Sequence, residues 1–594
     1  MRRAEDSIVS GHEAAADQLL RLGVRTAFGL VGDDVARLAQ RLWDRGVRYI
    51  GARHENQAVA MADTFARTSE TPGVVVLAGG PGVSNGLTAI NTAHRANSRV
   101  LVVTGTGSAV PKPFALHEVC AGLGIPLVDI HDASVLLGQT RDAYQLCASG
   151  RTVVVSYHLG ALDAESTEAP SDLDPAGLSA VGAVEPDAAQ VSAICELLED
   201  QTAARRPVII AGAGAVDAGA GPALRSLADR IGAVLLTTLK APGLFSGDPY
   251  DLGLIGTYAS GLAVELVRRA DLILVFGASL NRFTTYDGEL VSRCLLVHVD
   301  SSPAAFGRNV PTERELCVNA DARLTAEAFV RDLDNRGVHP PGYRSAALRD
   351  RIRSSDATEE LVEAHAPGRV DPRVLALSLD KVLPTRRTLV YDGGRHQNYM
   401  IPYLRADGPS RFIQMSSAGS IGLALGGAIG AALGDRQRLA VACVGDASFM
   451  MALNDLETAA REQIPMLVIV NNDGALGAEV RYLEMRGKSV DVARATTPDL
   501  AAVARALGAA ALDVRQISDL AGLPDLLAQA RGPTLLDCHI NADVPAPSID
   551  FLFSAPMAGA GESRSPGPLR PSGTHRNGPD SAGDGNPLGA ANWP

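Results

Sequence analysis

A recurring unit, in which a short apolar run is followed by a helical pattern, most strongly constrains how this chain folds. Such runs occupy residues 73–78, 99–105 and 439–445, and each is flanked by segments with helical periodicity. Apolar runs without alternation are typical of strands buried on both faces, which occur in parallel sheets covered by helices. The sequence therefore predicts an α/β fold built from doubly wound parallel sheets.

Three series of these units divide the chain. A length of 594 residues exceeds what one hydrophobic core can organise. We expect a first α/β domain at 8–160, a linker at 161–188, a second domain at 189–335, a linker at 336–368, a third domain at 369–545 and a mostly disordered tail at 546–594. The tail is rich in Pro, Gly and Ser, which bury too little apolar surface to fold.

Composition excludes several classes of partner and location. The formal net charge of −13 gives no electrostatic footprint for nucleic acid. The apolar stretch 421–433 is shorter than the roughly 20 residues that span a bilayer, so we expect a buried helix and no membrane association. The N-terminus has two arginines but no apolar run behind them, unlike a secretory signal. Seven scattered cysteines without a C-x-x-C pattern argue against disulfides and zinc, and favour a cytoplasmic protein.

Two polar segments follow consecutive strands of the third domain. The first contains Gly445, Asp446, Ala447 and Ser448. The second includes Asn472 and Gly474. Because parallel strands end at the same sheet edge, we expect Asp446 and Asn472 to lie side by side. Their side-chain oxygens and the Gly474 carbonyl are donors that Mg²⁺ prefers, and the small Ala447 and Ser448 let backbone N–H groups approach a phosphate. The alternative is an ordinary strand-to-helix turn followed by a surface turn.

This pair of segments resembles the signature of thiamine-diphosphate enzymes. The chain is similar to the family of acetolactate synthase, pyruvate oxidase and benzoylformate decarboxylase from residue 10 to about residue 540. Four further blocks resemble family motifs in the family's order: 54–58, a His-Glu-x-x-Ala block; 80–86, a Gly-Pro-Gly-x-x-Asn turn; 392–397, a diphosphate turn; and 420–422, at the place of Thr-Met-Gly. The resemblance implies a pyrimidine-binding, a central and a diphosphate-binding domain, in that order.

The resemblance also implies roles for single residues. Glu55 would hydrogen-bond the cofactor pyrimidine and promote loss of the C2 proton. Ile421 would hold the cofactor bent, and the Gly419 carbonyl would accept from its amino group. The remaining cofactor contacts would come from Gly82, Gly394, Arg395 and His396. Without the resemblance, Glu55 would be a helix-capping residue and the others core or loop residues.

Several positions depart from the family pattern. His117 stands where the synthases have glutamine, and it either shuttles protons near neutral pH or only fills the wall. Arg395 replaces a glutamine and Ala447 a glycine. The strand before Asn472 is one residue short, which leaves open whether Asp473 also reaches the metal.

Taken together, these residues predict a thiamine-diphosphate and Mg²⁺ enzyme that decarboxylates a small 2-oxo acid. We favour ligation to a second carbonyl with pyruvate as donor. The alternatives are a non-ligating 2-oxo acid decarboxylase and a non-catalytic, cofactor-binding paralogue. Partial matches at 211–215 and 277–283 leave FAD in the central domain open. The resemblance further implies a homodimer or homotetramer in which Glu55 meets the diphosphate-binding domain of another subunit.

Overall fold

The computed structural model describes residues 9–69, 71–107, 112–166, 169–173, 183–199, 206–307, 314–339, 342–355 and 361–554. These residues form three six-stranded parallel sheets with flanking helices and one small antiparallel pair. The expected α/β class with three doubly wound sheets is confirmed. Each large sheet with its helices is called a domain below.

The first domain pairs its strands in the order β3-β2-β4-β5-β7-β6. Its elements are β1 (Val9–Ser10), α1 (Gly11–Arg21), β2 (Thr26–Leu30), α2 (Ala36–Asp44), β3 (Arg48–Gly51), α3 (Glu55–Thr68), β4 (Gly73–Leu77), α4 (Pro81–Arg95), β5 (Val100–Thr106), α5 (Leu116–Leu123), β6 (Leu127–Ile130), α6 (Leu136–Ala148), β7 (Val153–His158), α7 (Leu159–Asp163) and β8 (Glu165–Ser166). β8 pairs antiparallel with β1, so the start of the expected linker belongs to this domain.

The central domain has the strand order β11-β10-β9-β12-β13-β14. Its elements are α8 (Ala188–Glu199), β9 (Pro207–Ala211), α9 (Ala213–Asp217), α10 (Gly221–Ile231), β10 (Val234–Thr237), β11 (Asp251–Leu254), α11 (Gly261–Arg268), β12 (Leu272–Phe276), α12 (Arg282–Thr285), β13 (Leu295–Asp300), β14 (Glu315–Asn319), α13 (Ala322–Asn335) and α14 (Ala346–Ser354). This order places the first strand at the centre of the sheet, as in dinucleotide-binding folds. α14 lies within the expected second linker.

The third domain repeats the layout of the first, with the order β16-β15-β17-β18-β20-β19. Its elements are α15 (Pro372–Val382), β15 (Arg387–Tyr391), α16 (Gln397–Met400), β16 (Phe412–Gln414), α17 (Ala424–Gly434), β17 (Leu439–Gly445), α18 (Asp446–Ala452), α19 (Asn454–Arg461), β18 (Met466–Asn472), α20 (Gly477–Met485), α21 (Leu500–Ala506), β19 (Ala510–Val514), α22 (Leu523–Gln529), β20 (Pro533–His539) and α23 (Pro547–Ser554). The strand order reverses between β15 and β17, and such a switch point opens a crevice at the carboxyl ends of the strands.

The start of the expected tail is ordered. α23 forms because Ile549 is buried against the core of the third domain, and Ser548 donates to the Asn398 side chain. Residues 555–594 lie outside the described part of the chain. The apolar stretch near residue 421 forms the buried helix α17, and in the described residues no helix is long and apolar enough to cross a membrane.

Helices α3 and α17 join the first and third domains through a glycine-lined contact. Thr64 Oγ1 donates to the Gly427 carbonyl at 2.5 Å. A Cβ at Gly430 would overlap the carbonyl oxygen of Met61. The absence of side chains along this face of α17 lets the two backbones approach closely, which gives both domains one continuous core.

Gly430→Ala should therefore destabilise the protein by about 1–3 kcal/mol, because the added methyl group overpacks the contact with α3. Thermal unfolding followed by circular dichroism measures this as a lower midpoint. Gly138→Ala in α6 is the matched control, since a Cβ there meets no atom within 4 Å. Equal midpoints for the two variants would contradict the close contact.

Candidate active site

A cavity of about 590 Å³ opens at the switch point of the third sheet. Loops that follow β15, β17 and β18 form its floor, and residues of the central domain and α23 form its upper walls. The cavity brings together many of the residues expected at the cofactor: Gly394, Arg395, His396, Gly419, Ile421, Gly445, Asp446, Ala447 and Ser448. This cavity thus lies at the segments that the sequence predicts to bind the diphosphate.

Two buried carboxylates face this cavity. Asp446 is 2% exposed and begins α18, and Asp473 follows β18. Burial, together with the neighbouring Asp473 carboxylate, raises the pKa of Asp446 to about 7. Burial also raises the pKa of Asp473, against the opposing effect of Arg395. Two like charges in a desolvated site repel each other, and a divalent cation between them would relieve that repulsion. The donor set therefore fits Mg²⁺.

The end of β18 differs from the expected arrangement at Asn472. Its Nδ2 donates to Asp537 at 2.8 Å, and its Oδ1 accepts from Thr497 at 3.3 Å. It does not line the cavity, whereas Asn471 and Asp473 do. The physical reason is strand alternation, because neighbouring side chains point to opposite faces and a shift of one residue changes the face.

Two further contacts involve the end of β18 and the loop that follows it. Asn471 Oδ1 is buried and has no hydrogen-bond partner, so an unpaired amide oxygen faces the cavity. The Gly474 carbonyl accepts from the Ala495 N–H at 3.0 Å, and the Gly474 N–H donates to Asp446. Gly474 therefore acts here as a backbone donor toward the carboxylate, with a φ of 71° that favours glycine.

Asp392 is a residue of the site that the sequence analysis did not single out. It is fully buried, and its Oδ2 accepts from the backbone N–H groups of Gly422, Leu423 and Ala424 at 2.9, 3.0 and 3.2 Å. Burial raises its pKa to about 6, and these hydrogen bonds oppose the rise. The carboxylate fixes the loop of Gly419 and Ile421 at the start of α17. An aspartate directly after a buried strand and before Gly-Gly was the available signal.

The diphosphate turn after β15 supplies one cation and one neutral imidazole. Arg395 donates to the Val544 carbonyl at 2.9 Å and lies 4.0 Å from Asp473, while its buried Nε has no partner. His396 Nε2 bonds the Cys443 carbonyl at 3.1 Å. Burial lowers the pKa of His396 to about 4, so its ring is neutral at pH 7. Arg395 is thus the charged group of this turn that an anion would meet.

Glu55 lies at the start of α3, outside the residues that line the cavity. Asn85 Nδ2 donates to its Oε2 at 3.2 Å, and a Cβ at Gly82 would lie 3.7 Å from its Oε1. The expected cofactor contact Gly82 therefore lies beside the Glu55 carboxylate. Two residues further on, the buried Gln57 donates to the Gly422 carbonyl at 2.6 Å and accepts from the Gly426 N–H at 2.9 Å. Gln57 couples α3 to the Ile421 loop, a role that its motif did not reveal.

His117 and the central glycines take other positions. The side chain of His117 is 67% exposed on α5 and lies 3.3 Å from the Asp129 carboxylate. It does not line the cavity within this chain. In the central domain, a Cβ at Gly212 would overlap the Gly277 carbonyl oxygen. These glycines allow two loops to approach each other, which is a packing role.

Comparison with known proteins agrees with this geometry. Three descriptions match: "Thiamine pyrophosphate enzyme, N-terminal TPP binding domain" over residues 9–111, the corresponding central domain over 191–329, and the C-terminal TPP binding domain over 392–538. The acetolactate synthase large subunit of Parasynechococcus marenigrum is 28% identical over 555 residues, covering 90% of this chain and 88% of the relative.

Two further relatives have different names. The "Probable 2-ketoarginine decarboxylase AruI" of Pseudomonas aeruginosa is 31% identical over 524 residues, covering 86% of this chain and 89% of the relative. The acetolactate synthase isozyme 3 large subunit of Escherichia coli is 25% identical over 563 residues, covering 90% and 95%. The chain belongs to the thiamine pyrophosphate enzyme family. It is a thiamine-diphosphate-dependent enzyme, similar to acetolactate synthase and of the class that acts on 2-oxo acids.

The arrangement of β18 leads to a test of the metal site. Asp473→Ala should weaken Mg²⁺-dependent binding of thiamine diphosphate by at least about 100-fold, because even outer-shell partners of a metal are worth 10–100-fold. Asn472→Ala should instead cost about 1–3 kcal/mol of stability, since Asp537 loses a buried partner. Calorimetric titration and thermal unfolding separate the two effects.

The exposed Asp525 on α22 gives the matched control, Asp525→Ala. If Asp473→Ala binds the cofactor as tightly as Asp525→Ala, while Asn472→Ala loses Mg²⁺-dependent binding without loss of stability, the assignment of Asp473 is refuted.

Proposed function

We propose that this chain is a thiamine-diphosphate- and Mg²⁺-dependent carboligase. It would decarboxylate a 2-oxo acid, with pyruvate as the donor, and transfer the acyl unit to a second carbonyl. The observation that carries the cofactor assignment is the buried pair Asp446 and Asp473 beside the diphosphate turn. Similarity to acetolactate synthases over about nine tenths of the chain supports ligation.

Bound thiamine diphosphate would supply a nucleophilic C2 atom that adds to the 2-oxo carbonyl and takes up the electrons released with CO₂. Asp446 and Asp473 would hold Mg²⁺, and Asn471 offers an amide oxygen beside them. Backbone N–H groups at the start of α18 and the Arg395 guanidinium would neutralise the diphosphate. Ile421 would support the bent cofactor, since its Cγ2 lies against Gly393 and the loop is held by Asp392.

A second copy of the chain would complete the site. Glu55 does not line the cavity of its own chain, so in this proposal it reaches the cofactor of a partner subunit. Met450 and Met451 on α18 are 38% and 61% exposed, although Met451 lies against Gly422 beside the cavity. Exposed apolar side chains next to a site are typical of surfaces that a partner covers. We therefore propose a homo-oligomer with its active sites at subunit interfaces.

Apolar side chains and one tyrosine form part of the cavity wall. Ile255, Phe283 and Leu552 contribute apolar surface, which excludes water from the reacting carbonyl. Tyr258 also lines the cavity, and its hydroxyl donates to Gln397 at 3.2 Å, so this wall is held in place. We propose that the domains expected at 8–160, 189–335 and 369–545 are the pyrimidine-binding, central and diphosphate-binding domains, with β8 extending the first, α14 the second and α23 the third.

A non-ligating decarboxylase is the second candidate. Two observations favour it: a relative at 31% identity is named as a decarboxylase, and His117 replaces the glutamine of the synthases. A general acid near the reacting carbon would protonate it and release an aldehyde.

FAD stays an expectation for the central domain, which the visible absorption of purified protein tests. All seven cysteines are free thiols, which agrees with the cytoplasmic location we propose.

Product analysis separates ligation from simple decarboxylation. We expect wild-type protein incubated with pyruvate, thiamine diphosphate and Mg²⁺ to yield mainly a ligated 2-hydroxy ketone or acetohydroxy acid. His117→Gln, which introduces the residue of the synthases, should change the rate more than the product, because His117 is not the decisive acid. A general acid contributes about 10²–10⁴-fold, enough to alter the product if it acted.

His131→Gln is a matched control, since His131 is exposed and bonds the same Asp129 carboxylate at 2.9 Å. Release of aldehyde alone by the wild type, diverted to ligated product only in His117→Gln, would overturn ligation in favour of the decarboxylase.

A further inference from the structure

The turn between β3 and α3, residues 51–55, carries Glu55 and is held from two sides. Within the first domain, Nδ1 of His54 accepts from the Asn56 N–H at 3.1 Å and so caps α3. From the third domain, helix α19 contacts the same turn at three points. The position of the turn is therefore shared between two domains of one chain.

The three contacts with α19 differ in burial. Arg461 donates from Nη2 to the Gly51 carbonyl at 2.5 Å, and the Arg53 side chain pairs with Glu457 at 2.7 Å. Both lie at the surface, and an exposed ion pair contributes little. The third contact is made by a fully buried carboxylate, because the Arg53 backbone N–H donates to Oδ1 of Asp455 at 2.8 Å. This bond is the one that fixes the backbone of the turn.

Asp455 is costly to hold in its place. Its Oδ1 also accepts from Thr458 Oγ1 at 2.9 Å, but among the described residues its buried Oδ2 has no hydrogen-bond partner. Burial raises the pKa of Asp455 to about 6, against the opposing effects of the Arg53 N–H, Thr458 and His54. An apolar side chain of similar size would avoid this cost. What the carboxylate supplies, and an apolar side chain cannot, is an acceptor for the Arg53 N–H.

We infer that Asp455 is a positioning residue for Glu55, which acts by fixing the turn that presents the Glu55 carboxylate to the cofactor. His54 alone separates the bonded Arg53 from Glu55, so a shift of the turn moves Glu55 with it. A misplacement of about 1 Å can cost roughly 100-fold in rate. Asp455 does not line the catalytic cavity of its own chain, so it acts through the backbone and not by touching a ligand there.

The inference rests on the proposed function, in which Glu55 reaches the cofactor of a partner subunit. Helix α18 begins at Asp446 and is followed directly by α19. The segment 446–461 therefore carries the proposed metal ligand for the chain's own cavity. It also carries the group that aligns Glu55, the residue that the chain offers to its partner.

The test is the rate of hydrogen–deuterium exchange at C2 of thiamine diphosphate bound to the full chain, at saturating cofactor and Mg²⁺. Asp455→Ala should slow this exchange by about 10- to 100-fold, because the turn loses its buried acceptor. Asp455→Leu repeats that loss without leaving a cavity, and so serves if Asp455→Ala does not fold. Asp455→Asn keeps an oxygen that accepts from the Arg53 N–H, and it should exchange at nearly the wild-type rate.

Thr458→Val is the matched control, since it removes the other partner of the same oxygen and leaves the bond to Arg53. A merely structural role would lower the thermal midpoints of Thr458→Val and Asp455→Ala alike and leave exchange in both folded holoenzymes unchanged.

Two outcomes overturn the inference alone, with Glu55→Gln slow in the same series. One is exchange in Asp455→Ala and Asp455→Leu as fast as in Thr458→Val. The other is exchange in Asp455→Asn as slow as in Asp455→Ala. Fast exchange in Glu55→Gln itself would overturn the role of Glu55, and the inference with it.

Discussion

The buried carboxylate of Asp392 holds the start of α17, and the catalytic cavity and the domain contact both depend on this bond. Its hydrogen bonds to three successive backbone N–H groups stabilise the helix terminus in a desolvated site. The loop with Gly419 and Ile421 is thereby fixed over the sheet. From the same terminus, the glycine-lined face of α17 packs along α3, where Gln57 bonds the Gly422 carbonyl. One carboxylate thus links the site to the assembly of two domains.

Charge at the cavity follows from a second constraint, the strand order of the third sheet. The switch between β15 and β17 brings Asp446 and Asp473 together in a buried crevice with Arg395 nearby. The two negative charges repel each other when no cation is bound. Burial, together with this repulsion, raises the pKa of Asp446 to about 7. A cation and a diphosphate bound there would convert that cost into binding free energy.

Much of this was predictable from the sequence, for identifiable reasons. The short apolar run 73–78 matched β4. Asp446 could be placed because it directly follows an apolar strand, and parallel strands end at the same edge of the sheet. Asn472 could not be placed, because the face of a residue at a strand end depends on a shift of one position. Gln57 and Asp392 were missed because their partners lie far along the chain. Residues 547–554 were expected in the tail because the sequence of so short a segment does not by itself favour a helix. Tertiary packing stabilises a helix of this length.

We propose that Glu55 activates bound thiamine diphosphate in this chain. The most direct measurement is hydrogen–deuterium exchange at C2 of the bound cofactor, followed by NMR after acid quenching. Glu55→Gln should bind the cofactor nearly as wild type does but exchange at least about 10²-fold more slowly, the usual contribution of a positioned acid–base group. The exposed Glu118 on α5 provides the control, Glu118→Gln. Exchange in Glu55→Gln as fast as in Glu118→Gln would contradict this role of Glu55.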